Sequence, residues 1–574
     1  MDPIFTATNM WAHCRLLVTM RNAPGVSGGP MFRIVKAIRA PLCLAFSLLG
    51  IGVRPSHAQI PRTVFKQDEV KNTLAAIIDN EGHAMVSIHQ GKLVTYWSID
   101  GNGGGGGFSV WDISDLRNIK REAVISDTNS KLWNEGHSWG ISSDNTCMIQ
   151  AGHTLQAWDM GNVLKPYMKK RIELPGVRNN PYSEVVFYSS WQGGYWYGAA
   201  TNLGMIIVDA RDINNIKYVK TIPTSKLGGF SVGSIHAVGN FLVLSDIDNP
   251  GITTMDISDP VNPVVIQTSK QVAIAYTYMF NGGKLYGAGS APKANTTGNP
   301  AIDDARYALM VYDLNDPSKF NFVGHSEERG DKGGYVLLQD GYAFAGFSSQ
   351  GYSKFDLSKP GFPVVSTNKS AHVGSDEDFA NPLGNVLMTG NDHGSGSNVF
   401  IHDLNPDTIP PRVDFISPGK NAVNQALTSR VGITLTSPVV IEGMADDQFL
   451  IAPLNGKPLK GRYVHLAGEV NFQPFEDLKP NTTYVVQITG MKDWTGNKMT
   501  EVFESRFSTG ATVSQEPVNL AFTRHKNLLR PMSENSALRL TGSDRSLKML
   551  IDDNGAYYDL HGKSVPFPDP AWNY

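Results

Sequence analysis

Two histidines at matching places in a repeated pattern are the residues of this chain best suited to chemistry. His83 sits in GHAMVSI and His137 in GHSWGIS. Neutral imidazoles joined by a carboxylate suit zinc, iron or copper. Glu377, at the same repeat position, supplies the carboxylate, so His83, His137 and Glu377 form a candidate metal set. Other repeats place Glu184, Tyr276, Lys332 and Asp376 there. The expectation is a ring of polar side chains at one level, taking a polar ligand or a divalent metal. The competing reading is a hydrated polar channel. No complete catalytic set accompanies them: there is no G-x-S-x-G, no H-E-x-x-H and no pair of cysteines with ligand spacing. Cys147, between Thr146 and Met148, reads as a buried strand residue. DIDN at 246–249 is an incomplete calcium loop. Trp191, Tyr195, Trp196 and Tyr197 read as packing aromatics ahead of a carbohydrate platform.

The elements that must position these residues repeat along the chain. A short strand ending in aspartate recurs seven times, as FSVWDIS, LQAWDMG, MIIVDAR, ITTMDIS, LMVYDLN, YSKFDLS and VFIHDLN. The anchors are Asp112, Asp159, Asp209, Asp256, Asp313, Asp356 and Asp403, spaced 47, 50, 47, 57, 43 and 47 residues apart. In the fourth unit SIHAVGN, FLVLSDI, ITTMDIS and VVIQTS read as four strands joined by turns, one of them DP-x-NP. A period near 45 with four strands per unit is propeller spacing. Each aspartate has a structural task, closing a strand and accepting a hydrogen bond from the turn that follows. Seven units predict a seven-bladed β-propeller over 59–408. Its last blade lacks a fourth strand, which residues 63–65 near the N-terminus are expected to supply.

The run GITTMDISDPVNPVVI resembles the LVIVD repeat of bacterial surface and exported proteins, with Asp256-Ile257-Ser258-Asp259-Pro260 its cleanest copy. The copies at Asp159 and Asp209 lack the Asp-Pro pair. The resemblance implies a propeller and no particular activity. After Pro410-Pro411, alternating strands over 409–510 predict a β-sandwich. Its Ser417-Pro418 turn, its Leu478–Tyr484 element and its D-x-x-G-N turn at 493–497 resemble the bacterial Ig-like domain of S-layer and surface proteins, which implies a spacer. Residues 511–574 carry no motif and stay unassigned.

Composition agrees with an all-β chain of many short strands: 41% hydrophobic, 10% aromatic, 57 Gly and 33 Pro. A net charge of -3 gives no case for nucleic acid or an anionic membrane. From Met31, read as the true start, Arg33, Lys36 and Arg39 precede an apolar stretch over 40–53, with Ser56 and Ala58 before a cut at Gln59. Residues 1–58 therefore read as an upstream extension and signal peptide, too short for a membrane span. The destination is periplasm, cell surface or outside. The expected function is an exported binding or scaffold protein, its propeller meeting a protein or cell-surface glycan, with the Ig-like domain as spacer. The alternative is an exported enzyme or metal-binding protein with its site near His83 and His137.

Overall fold

The computed structural model describes residues 59–70, 73–77, 81–100, 107–126, 137–178, 182–289, 297–330, 333–347, 351–368, 377–390, 396–445 and 447–510, with short strands at 549–551, 557–559 and 564–565. Residues 1–58, holding the expected signal segment with Met31, Cys14 and Cys43, lie outside the described residues, as do Lys332 and Asp376. Among the described residues no helix is long and apolar enough to cross a membrane.

The chain is all-β and propeller-like. Among the described residues, strands up to Ile401 form antiparallel sets of four. The fourth set is Val232–Val238, Phe241–Asp246, Ile252–Asp256 and Val264–Ser269, the four strands read from the sequence. The others span 81–126, 139–173, 188–222, 275–325, 336–368 and 379–401, the last completed by Ala75–Ile77. That final strand comes from the N-terminal segment, but some ten residues later than expected: Ala75 pairs with Val399 and Ile77 with Ser397. Residues 60–66 run beside this set without joining it; Phe65 N–H bonds Leu404 O at 2.9 Å and Asn385 Nδ2 bonds Thr63 O at 2.8 Å. From the second set to the seventh, first strands of successive sets pack against one another, and the first two strands of the seventh set also pack against the first strand of the first. They are buried, while fourth strands such as Lys217–Ile222 form the exposed edge.

Two local devices recur. Each of the seven anchor aspartates accepts a hydrogen bond from the backbone N–H two residues on: Ser114, Gly161, Arg211, Ser258, Asn315, Ser358 and Asn405, at 2.7–3.1 Å. Two residues before the anchor, the pairing with the outer strand slips in the first six sets. Such a bulge twists an edge strand and spoils it as a template for pairing with another chain.

Residues 413–509 form a sandwich. One sheet holds Val413–Ser417, Val431–Leu435, Glu469–Pro474 and Gly461–Leu466; the other holds Ala422–Gln425, Phe503–Thr509, Thr483–Ile488 and Phe449–Pro453. The sequence marks have structural tasks. Tyr484 hydroxyl accepts from Lys479 N–H at 2.7 Å, and the Asp493 carboxylate accepts from the N–H groups of Thr495 and Asn497 at 2.9 and 2.8 Å. Ser417-Pro418 is a cis peptide.

The sandwich is no detached spacer. Gly461–Leu466 pairs with Trp139–Ser142, so its first sheet continues into the second set as one eight-stranded sheet. It meets the turns between first and second strands all along the array. Ser143, Gly239, Asn240, Gly282 and Asp340 donate backbone N–H groups to Tyr463 O, Asn471 Oδ1, Ser417 Oγ, Thr434 Oγ1 and Thr436 O, at 2.8–3.0 Å. Gln90 N–H bonds Glu442, Arg462 bonds Gly193 O at 2.7 Å, and Thr495 lies against Gly384. Gly239, at φ 60°, comes so close to Ser417 and Gly432 that an added Cβ would lie 1.9 Å from Ser417 O. Arg430, fully buried, reaches Gln192 Oε1 at 3.1 Å and the carbonyls of Ile257 and Thr428.

Two outcomes follow. Asp256→Ala loses a side chain–backbone bond and lowers stability by about 1 kcal/mol in chemical denaturation. A variant that melts like its parent yet loses ligand binding would make the anchors functional instead. Arg430→Met strands Gln192 and its carbonyl partners and lowers stability by about 3 kcal/mol; unchanged denaturation with unchanged proteolysis of the 406–412 linker would refute this role.

Candidate functional site

The structure parts the residues that repeat position had grouped. His137 lies where several sets converge: its Nδ1 is 2.7 Å from the Tyr335 hydroxyl, and its ring meets those of Phe187, Tyr276 and Phe379, with centroids 4.4, 6.4 and 5.9 Å away. Tyr335 stacks on Phe379 at 4.1 Å. Beside them Tyr188 hydroxyl points at the sulfurs of Met85 and Met279, 3.6 Å from each. Rings and thioethers from the first, second, third, fifth, sixth and seventh sets thus meet where a polar ring was expected, and large aromatics of the third, fifth, sixth and seventh sets fill most of that space.

His83 is bound within the first set, Nδ1 3.0 Å from Thr95 Oγ1 and its ring edge-on to Trp111. Glu377 accepts from Thr389 Oγ1 at 3.2 Å and Asn398 Nδ2 at 2.9 Å in the seventh set. Among the described residues no group of three or more His, Cys, Asp or Glu side chains is placed to hold a metal ion. Glu184 pairs with Arg178 at 3.0 Å, at the end of the array opposite the sandwich. Trp191, Tyr195, Trp196 and Tyr197 are buried, so they offer no platform. Asp246 caps its own turn through the N–H groups of Asp248 and Asn249. Cys147 is buried and free, and burial pushes its thiol well up.

A second constellation went unnoticed in the sequence. Where the sixth set, the seventh set and the linker to the sandwich meet, a cavity of about 260 Å³ is lined by Lys354, His402, Asp340, Asp403, Asp407 and Tyr342, among others. Lys354 Nζ lies 3.2 Å from His402 Nδ1 and 4.1 Å over the Tyr342 ring. Burial, together with the nearby Lys354 ammonium, pushes the His402 imidazole down to about 3, so it is neutral and can accept a hydrogen bond from the lysine. Burial, and then the charge of Asp407, lifts Asp340 to about 7; its carboxylate also accepts from Ser437 of the sandwich. Burial likewise lifts Asp493 to about 6. The signal was present in the repeat. Lys354 stands two residues before its anchor, where the other copies carry Val110, Ala157, Ile207, Thr254, Val311 and Ile401.

Residues 407–509 match the family model of the bacterial Ig-like domain. No curated protein matches the chain. Solved structures similar to it include a computationally designed Ika8 protein at 10% identity, over 57% of this chain and 99% of that one, TM-score 0.37. The β-propeller domain of Myceliophteria thermophila Cps50 (Swd1) matches at 11% identity over 59% of this chain and 99% of its own, TM-score 0.40. Chaetomium thermophilum Raptor matches at 11% over 62% of this chain and 30% of its own, TM-score 0.41.

The raised Asp340 carboxyl has a signed consequence. Its folded pKa lies above the unfolded value, so the folded state holds the proton more tightly, and that stability is lost as pH rises through about 7. Asp340→Asn should therefore gain in melting temperature against its parent between pH 5 and pH 8. A difference that is flat or shrinks over that range refutes the assignment.

Proposed function

We propose that this chain is an exported bacterial surface protein that works by binding. In this reading seven LVIVD-type blades over 59–408 close into one ring. The Ig-like sandwich over 409–510 caps one face, and the opposite face meets a polar ligand, a protein or a cell-surface glycan. The observation that carries the reading is the position of the sandwich. Its contacts with the turns of all seven sets, from Gln90 to Gly384, occupy one end of the array. The end where Glu184 and its neighbours lead into the first strands is left as the presenting surface. Support for a surface setting comes from the bacterial Ig-like match at 407–509. The aromatic filling around His137 favours recognition by that face over passage of a ligand along the axis.

The test uses the chain from Gln59 onward with isolated cell-wall sacculi in a sedimentation assay, and elemental analysis on the same preparation. Retention on sacculi, weakened about tenfold, or about 1.4 kcal/mol, by Glu184→Lys at unchanged melting temperature supports the reading. No retention together with a stoichiometric tightly held metal overturns it in favour of an enzyme or metal protein.

A further inference from the structure

The cavity between the sixth and seventh sets holds an amine in an unusual setting. Lys354 is only 6% exposed and occupies a position that six other repeats fill with Val, Ala, Ile or Thr. Its neighbour His402 stands where the other copies carry Trp111, Trp158, Val208, Met255, Tyr312 and Phe355. Two departures from the repeat, in adjacent sets, thus meet at 3.2 Å. The faces of Tyr342 and Phe344 lie 4.1 and 5.6 Å from the amine, and Asp340, Asp403 and Asp407 line the same cavity without pairing with it. Among the described residues Lys354 has no ion pair; Asp356 on its own strand pairs with Lys359 instead. A buried ammonium without a direct ion pair is expensive, and burial shifts such lysines toward the neutral amine.

The cavity wall narrows the choice of occupant. The carboxylates of Asp403 and Asp407, with Asp340 beside them, repel an anion. Lysine repels a cation, and it already covers the Tyr342 face on which a sugar ring would stack. Asp403, Asn405 and Thr408 are exposed, so the space opens to solvent. Its 260 Å³ is roughly eight waters' worth of room. We propose that Lys354 is a nucleophilic amine and that this cavity takes a small uncharged aldehyde or ketone, held as an imine.

The step balances without a further reagent. The amine lone pair attacks the carbonyl carbon and forms the C–N bond. The oxygen gains a proton to give a carbinolamine and then leaves as water, taking with it both hydrogens that nitrogen gives up. Asp340 is the wall carboxyl that carries an exchangeable proton near neutrality. Burial lowers the Lys354 ammonium below the usual range, against the opposing pull of Asp403, Asp340, Asp356 and Asp407. Neutral His402 holds the amine in place without adding charge.

The experiment treats the folded chain at pH 7 with propanal and cyanoborohydride, then maps propylated lysines by peptide mass. Each unit by which an amine's pKa falls raises its neutral fraction about tenfold at this pH. Lys354 is expected to label faster than exposed lysines such as Lys420 and Lys457. Asp403→Asn removes a charge that favours the ammonium while keeping an oxygen for the Asn405 N–H, so it should speed labelling further. Labelling of Lys354 no faster than that of the exposed lysines overturns the proposal. So does an Asp403→Asn variant, folded by its melting curve, in which Lys354 labels more slowly.

Discussion

The turns between first and second strands govern how this molecule is put together. Each such turn leaves backbone N–H and C=O groups at one end of the array, and a buried donor without a partner costs on the order of 1–3 kcal/mol. Here the sandwich supplies the partners: Asn471 for Gly239, Ser417 for Asn240, Thr434 for Gly282, Thr436 for Asp340 and Tyr463 for Ser143. Once those bonds form, water is excluded. The side chains trapped between the two parts must then be satisfied as well. Arg430 and the His236–Glu469 pair, 2.6 Å apart and nearly unexposed, are the result. Burial pushes Glu469 up, and His236 opposes the shift. The continuous sheet through Val464 and Ser142 is one strand-pair's worth of the same requirement.

What could be read from the sequence was what repeats. The anchors were legible because Asp112 and its six counterparts do the same local thing, and a local hydrogen bond leaves a fixed spacing behind. The four strands of each unit were legible because turn residues separate them. The reading of residues 63–65 as the closing strand rests on the seventh unit lacking a fourth strand, whereas Ala75–Ile77, three residues long, shows no alternation of its own. Non-local pairing with Val399 selects it instead.

The candidate site was much less legible, for a related reason. Equivalent repeat positions fix where a Cα lies, not what its side chain meets. His83 finds a hydroxyl and an indole inside its own set, whereas His137 finds aromatics of the sixth and seventh sets. The docking partners are 170 to 435 positions apart in several cases, as with Thr428 and Ser258 or Arg62 and Asn497. No period reports such contacts. Lys354 and His402 belong between these extremes. Each is visible as a misfit to the repeat, but only stacking of the sixth set on the seventh shows that the two misfits answer one another.

A repeated array poses a further problem that buried polar groups solve. Sets of like geometry offer a docking partner several nearly equivalent angular settings, and apolar contact alone separates them poorly. The turns differ in chemistry where they are alike in shape. Glu469 finds an imidazole only at His236 and Glu442 only at His89, while Arg462 reaches a carboxylate at Asp144, 3.0 Å away. In any other setting Glu469, 2% exposed, would be buried without its partner, a penalty of several kcal/mol, and Arg462 and Glu442 would lose theirs at a smaller cost. The pairs therefore add little net stability where they are satisfied and remove a great deal where they are not. On that argument the sandwich is held in one register chiefly by the cost of the alternatives, and the Asp340 N–H bond to Thr436 O ties one wall of the Lys354 cavity to that register.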